Sequence, residues 1–424
     1  MVREHNSWPY SKLQHWPPMT YRDSPSINSE DLSSFKDFLN RESEHNIIRE
    51  LQPWIPFCQG QCTFCYFPVS CGIQDINLYL EALKKTLKLY AKSKYIRSCV
   101  FGELYVGGGT PTVLSKEQIE GVLKFCRKNF NVNSNASTKI AACTTSLSDE
   151  NTRFLSLQRV DQIDVGVQTF NDSNRKLLRL QDSGPDAKAK LKMAKKNNLR
   201  VSIDLLYNLP GQTLEQWQDD LTQALELEVE SVDCYPLDLY PNTPLARKID
   251  SGEIPKVNDD AAELEMYLMA SRLFKENGYL PSCHNRFTRL KEDLEEPSSE
   301  VIGTGAGFFM GRIGKFIYSD VESIDEYVLK AKNKELPISK LTKLTVKEEM
   351  ISAMMLIYVR VPVDRQKFKM QFGVLPEEAF PEAIKRLTEK QLIEIRDDKI
   401  ILSEKGDPWR FNIAWEFAEN TKQT

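Results

Sequence analysis

The residues with the most chemistry in them stand close together. Cys58, Cys62 and Cys65 lie in the segment Ile55-Pro-Phe-Cys-Gln-Gly-Gln-Cys-Thr-Phe-Cys65, a C-x3-C-x2-C spacing, and Cys71 follows. Three soft thiolates on so short a loop can wrap one metal centre. In a 4Fe-4S cubane they leave one iron open to an outside ligand, and a chelating amino and carboxylate pair fits that vacancy. A zinc site closed by Cys71 competes with this reading. Zinc loops usually join C-x2-C pairs from two separate halves, and no second pair exists here. A fourth thiolate would also fill the open iron, which sets Cys71 apart as a bystander. Cys99, Cys126, Cys143, Cys234 and Cys283 are scattered and are expected as free thiols.

Other residues invite a ligand. Gly107-Gly108-Gly109 ends an apolar run and precedes Thr110-Pro111, so backbone there can approach a bound molecule closely. Taken alone, the run also reads as a strand-to-helix turn, and no Gly-Lys-Ser/Thr makes it a nucleotide loop. Gln168 and Asp204 each stand near the end of an apolar strand, where a polar side chain must find a partner. His284 lies outside the first 46 residues, which hold the other three histidines, and is followed by Asn285-Arg286. It reads as a substrate-side acid or as a histidine satisfied structurally. Gly303 to Gly307 turn the chain or approach a ligand.

Elements must bring these residues together. Strand-like runs recur at 103–106, 139–143, 162–168, 199–206 and 231–239, with helical patterns between them. Thr213 with Gln216 makes a capping box, and Leu214, Trp217, Leu221, Ala224 and Leu225 share one face of the helix that follows. Repeated strand-helix units predict an α/β fold, a parallel sheet covered by helices, with chemistry where strands end and loops begin. Residues 1–46 are polar, marked by Pro9, Pro17, Pro18 and Pro25, and read as an arm or lid. After about residue 340 the pattern changes. Thr345 with Glu348 opens a helix carrying Met350, Ala353, Met354 and Ile357 on one face, and a second helix covers about 377–391. Segments 392–395 and 399–402 then flank Asp397-Asp398 as a hairpin. The expected division is an N-terminal arm over 1–46, a catalytic barrel with its extension over 47–340, and a winged-helix-like α+β module over 341–424.

With 424 residues, 41% apolar and 27% charged, the chain is neither disordered nor collagen-like. A net charge of -4, from 56 basic and 60 acidic side chains, leaves no basic excess, so the winged helix is not expected to bind nucleic acid. No stretch has the ~20 continuous apolar residues of a membrane span, and the opening residues lack the apolar run of a secretory signal. A soluble, cytoplasmic chain is expected.

Together the motifs resemble the radical S-adenosylmethionine (SAM) superfamily, in its branch of oxygen-independent coproporphyrinogen III oxidase-like, or HemN-like, proteins. Besides the cysteine loop they are Tyr105-Val-Gly-Gly-Gly-Thr-Pro-Thr112, Val165-Gly-Val-Gln-Thr-Phe-Asn171, Asp204-Leu-Leu-Tyr-Asn-Leu-Pro-Gly-Gln-Thr213 and Asn242-Thr-Pro-Leu-Ala-Arg247, in matching order over about residues 50–310. Residues 217–221, 232–235 and 303–307 look most like the anaerobic haem-utilisation, haem ring-opening methyltransferases; menaquinone C8-methyltransferases share the architecture. The resemblance implies a partial (β/α)6 barrel and a 4Fe-4S cluster on Cys58, Cys62 and Cys65. It also implies S-adenosylmethionine, two molecules of it, with Phe64, Gly108, Gly109, Thr110, Gln168 and Asp204 as contacts. His284 falls where that subgroup carries a His followed by Arg, which adds a haem contact to its readings. The implied partners are an electron donor such as flavodoxin or ferredoxin and a planar, apolar substrate, a tetrapyrrole or quinone methylated at an sp2 carbon. Coproporphyrinogen decarboxylation is the alternative reaction, and non-catalytic haem binding or delivery is the alternative role.

The chain also departs from that pattern. Phe67 stands where the oxidases have a fourth cysteine, and Gln52 and Trp54 stand where they have Tyr and His. Ala141 replaces an acidic residue that bridges the cofactors, Leu180 an arginine, and Asn208 the Gly before Leu-Pro. Losing the Tyr and the fourth Cys counts against decarboxylation. Losing the acid at Ala141 leaves one cofactor's ammonium without its expected charge partner.

Overall fold

Aliphatic residues at every second position make strands that can be covered on one face and leave the other open to chemistry. The computed structural model describes residues 8–18, 29–43, 47–71, 76–307 and 309–419; His5, Pro25 and His45 lie outside them. Six parallel strands stand side by side in chain order: β1 (Ile48–Ile55), β2 (Val100–Gly108), β3 (Val132–Cys143), β4 (Gln162–Gln168), β5 (Arg200–Tyr207) and β6 (Ser231–Pro236). On β4, Ile163, Val165 and Val167 are fully buried against the helices, while Asp164, Gly166 and Gln168 face the concave side. Helices after each strand cover the convex side; Leu214–Glu226, capped by Thr213 and Gln216 as expected, buries Trp217, Leu221 and Ala224.

The sheet runs on past both ends of the six. On one side, β7 (Leu280–Pro281) and β8 (Arg286–Thr288) follow β6 in antiparallel order. On the other, β9 (Val301–Thr304) lies parallel to β1 and leads into the antiparallel strands β10 (Met310–Ile313), β11 (Phe316–Asp320) and β12 (Ile338–Lys343). All twelve belong to one sheet. Arg49 on β1 is buried against Glu300, just ahead of β9, so a desolvated ion pair fixes where the extension joins.

Several boundaries differ from the sequence reading for physical reasons. Strand β3 begins seven residues earlier than the run at Lys139, at Val132, because Asn133, Ser134 and Asn135 carry no apolar signal. The second C-terminal helix is broken into Pro376–Ala379 and Pro381–Glu389, since Pro381 lacks the N–H that a continuous helix needs. Ile357 falls in a 3-10 turn beyond the helix Val346–Met354. Ser29–Leu39 is a helix within the stretch read as an arm, and its Phe35 is buried against Phe316, ring centroids 5.3 Å apart.

The C-terminal region has its own core around Met354, Leu387, Ile400, Trp409 and Phe417. Its three-stranded sheet orders β13 (Val363–Asp364), β15 (Lys399–Leu402) and β14 (Ile393–Arg396). Asp397 and Asp398, with φ of 49° and 61°, turn the hairpin through left-handed conformations. Segment 8–18 lies across this module: Trp8 packs edge-on to Trp409, and the Trp415 indole donates to the Trp16 carbonyl at 2.9 Å. Among the described residues no helix is long and apolar enough to cross a membrane.

Candidate functional site

The cysteine loop closes over the C-terminal ends of β1 and β2. The Cys58 N–H donates to Ser70 O at 3.0 Å and the Ser70 N–H to Pro56 O at 2.8 Å, so the loop folds back on its own entry. Gly109 and Thr110 donate to Ile55 O and Phe57 O at 2.8 and 2.7 Å. A Cβ on Gly108, whose φ is 127°, would sit 2.1 Å from Ile55 O, and one on Gly109 would sit 2.8 Å from Cys58 Sγ. These glycines are required by the approach of the cysteine loop to β2. Thr110, buried, meets Cys58 Sγ with its hydroxyl at 3.4 Å.

The far side of the loop is held just as firmly. Thr63 donates from its N–H to Leu178 O and from Oγ1 to Leu177 O, and its own carbonyl accepts from Leu245 N at 2.9 Å. The Asn242-Thr-Pro-Leu motif therefore acts as a brace: Thr243 caps the helix Pro244–Asp250, whose first turn grips the loop. Phe64 packs on the cluster formed by Leu178, Leu206, Leu237 and Leu245, and Leu180 joins the same contact. Where an arginine was expected, Leu180 thus gives apolar packing, while Arg179 carries the left-handed C-cap of its helix.

Burial, and then the neighbouring thiols, push Cys62 up to about 12; burial likewise raises Cys58 to about 11, against the Thr110 hydrogen bond. The positive irons of a cluster would hold such thiols as thiolates. Cys71 is exposed.

Below the loop, Gln168 ends β4 with a φ of 68°. Asp220, buried, holds the turn after it by accepting from Thr169 Oγ1 at 2.7 Å and Phe170 N at 2.6 Å. Arg175 adds donors to Val167 O and Thr169 O. Asp204 on β5 pairs in register with Gly166 on one side and Asp233 on the other. Neither Gln168 nor Asp204 has a side-chain hydrogen bond among the described residues, so both remain available to a ligand. Burial first, and then Asp233 and Asp164, raise Asp204 well above the usual carboxylate range, against Arg286. Such a carboxyl would regain its charge beside an ammonium.

The lumen opens at the N-terminal ends of the strands into a cavity of about 1420 Å³, lined by Glu50, Glu103, Lys139, Arg200, His284 and Arg286 among others. That exceeds the ~300–1,000 Å³ of ordinary small-molecule sites. Its lining mixes charged side chains with apolar surface. His284 enters it from the β7–β8 turn with a φ of 51°. Its ring packs edge-on to Tyr358, 5.4 Å between centroids, and has no hydrogen-bond partner among the described residues. Burial lowers it to about 4, so at neutral pH it is an uncharged imidazole. An uncharged imidazole has a ring nitrogen able to accept a hydrogen bond or to ligate.

A radical SAM superfamily model matches residues 53–224. The crystal structure of coproporphyrinogen III oxidase (HemN) from Escherichia coli superposes with a TM-score of 0.83, covering 95% of this chain and 96% of that one at 22% identity. Residues 53–224 thus match the radical SAM model, and the fold as a whole is like that of HemN. Among relatives, the heme chaperone HemW of Lactococcus lactis is 29% identical over 378 residues, 86% of this chain and 95% of its own. HemW of Bacillus subtilis is 27% identical over 365 residues. Anaerobilin synthase of Escherichia coli O157:H7 is 26% identical over 264 residues, covering 62% of this chain and 59% of its own.

Against that HemN-like frame the departures acquire places. Ala141 lies in register with Asp164, so a carboxylate stands at the same level one strand away. Asn208, at φ 60°, takes the left-handed conformation a glycine would fill, and its amide donates to Glu263 at 2.7 Å. Phe67 packs against Trp54, 6.2 Å between centroids, so two of the replaced positions meet each other.

Proposed function

We propose that this chain is a radical S-adenosylmethionine enzyme that methylates an sp2 carbon of a planar tetrapyrrole, using two S-adenosylmethionines. The carrying observation is the pair Gln168 and Asp204, without side-chain hydrogen-bond partners among the described residues, on the same sheet whose first strand runs into the loop of Cys58, Cys62 and Cys65. When bound, the cluster supplies the electron that breaks a carbon–sulfur bond of the cofactor and opens radical chemistry at carbon.

The chain's own part is placement and shielding. Cys58, Cys62 and Cys65 hold the cluster, Phe64 covers it from the side, and Gly108, Gly109 and Thr110 seat the loop. Gln168 and Asp204 receive polar groups of the cofactor. Asp164 supports binding of a second one, because it is raised by burial and, among the described residues, accepts a side-chain hydrogen bond from Gln162 alone, at 2.7 Å. The likeness to HemW and anaerobilin synthase favours a tetrapyrrole over a quinone. An electron donor such as flavodoxin or ferredoxin completes the requirement.

Reconstituted, reduced protein given haem and S-adenosylmethionine with a deuterated methyl tests this. Deuterium in 5′-deoxyadenosine and a methylated ring are expected. Loss of carbon dioxide from coproporphyrinogen would instead favour decarboxylation. No 5′-deoxyadenosine from protein with an intact cluster would sink both enzyme readings and favour haem delivery. That second reading has support of its own in the long match to HemW and in the uncharged His284 ring at the cavity. It predicts haem absorbance that is lost in His284→Ala.

A further inference from the structure

The lumen holds a pair of carboxyls that cofactor binding does not use. Glu50 on β1 lies in register with Glu103 on β2, and both line the large cavity. Lys139 on β3 is committed to Glu103 at 3.0 Å. Glu50 has no ion pair and no side-chain hydrogen bond among the described residues. The other charges around it are engaged elsewhere or carry its own sign: Asp164 is two strands beyond β2, and Arg286 is bound to Asp233 at 2.8 Å. His284, across the cavity, is neutral at pH 7.

Two carboxyls that face one ammonium inside a protein keep one proton between them. The ion pair decides where it sits: Lys139 is bound to Glu103, so the proton falls to the unpaired Glu50. Burial first, and then the charge of Glu103, push Glu50 up to about 8, with Lys139 opposing.

We propose that Glu50 is the proton donor and acceptor of this chamber toward the bound ring. As it donates, its O–H bond breaks, the proton bonds to a nitrogen or carbon of the ligand, and the electron pair remains on the Glu50 carboxylate near Lys139. Acceptance is the reverse, and no oxidant or reductant is needed. The assignment rests on reading the cavity as the substrate site, but the proton on Glu50 does not.

Infrared titration of the protein without substrate should show, among the raised carboxyls, a step as pH rises through about 8 that is missing from the Glu50→Gln difference spectrum. Glu103→Gln removes the like charge and frees Lys139, so it should move that step to lower pH. With haem as probe and the cluster loaded, Glu50→Gln should slow ring modification about a hundredfold and flatten its pH profile, while 5′-deoxyadenosine release and iron content hold. An unchanged infrared step in Glu50→Gln overturns the proposal. So does a normal rate and pH profile in that variant. If the unaltered protein cleaves no S-adenosylmethionine, the enzyme reading fails instead, and haem affinity that changes with pH in the unaltered protein but not in Glu50→Gln then reports the same proton.

Discussion

Arg410 donates from Nε to the main-chain oxygen of His284 at 2.9 Å. The same guanidinium bonds the Asn285 side chain, and Arg360 donates to His284 O at 3.1 Å and to Ser282 O. Two cations of the C-terminal module thus clamp the turn that carries His284 into the cavity. Asp407 balances Arg360, with Oδ1 2.6 Å from its Nε, and is itself held down at about 2 by these charges, against burial.

Arg410→Met should therefore loosen a turn some distance from any cofactor. It leaves Asn285 Oδ1 unsatisfied and His284 O with Arg360 as its remaining donor, at a cost of about 1–3 kcal/mol. Urea denaturation should show the lower midpoint, and haem binding should weaken with it. An unchanged midpoint would mean the clamp carries no stability.

Cys62→Ala should lose the cluster's visible absorbance and its iron, while Cys71→Ala keeps both. Equal iron in the two variants would refute the ligand assignment.

Gly109→Ala places a methyl 2.7 Å from Phe57 O and 2.8 Å from Cys58 Sγ. The loop must shift, at about 1–3 kcal/mol, and iron retained after gel filtration should fall. A variant with wild-type iron and melting temperature would show that the loop yields without cost.

Two histidines should give stability opposite dependences on pH. His284 is lowered to about 4 by burial, so the unfolded chain binds the extra proton first, and stability drops as pH falls from 6.5 toward 4. His15 is raised by Glu263, 2.7 Å away, and by Asp238 and Asp260, against burial. Its contribution is present below 6.5 and is lost as pH rises through its folded value. Thermal melts should lose the acid-side slope in His284→Asn and the upper one in His15→Gln; no change in either slope would contradict the assignment.

The aliphatic runs of β4 and β5 were legible because Ile163, Val165, Val201 and Ile203 alternate with polar residues within a few positions of one another. The cysteine loop was legible for the same reason, since its spacing is local. Glu50, Asp220 and Arg49 were not, because each takes its meaning from a partner on another element; Arg49 and Glu300 are 251 positions apart. Helix Ser29–Leu39 was hidden likewise, with Phe35 set against Phe316 and Tyr318 of β11. Asn208 was visible as a departure, yet its bond to Glu263, and through that carboxylate to His15, needed the fold.

The seating of β9 against β1 also sets an order in time. A growing chain that has just finished β6 already has all three cysteines and the six parallel strands, but β1 is still an open edge with Arg49 unpaired. Only when Glu300 and residues 301–304 emerge is that edge covered and the ion pair closed. The cysteine loop leaves directly from the end of β1, so its resting shape waits on the last part of the barrel to be made. Iron delivered during synthesis would meet the thiols on a frayed strand; iron delivered afterwards meets a finished socket.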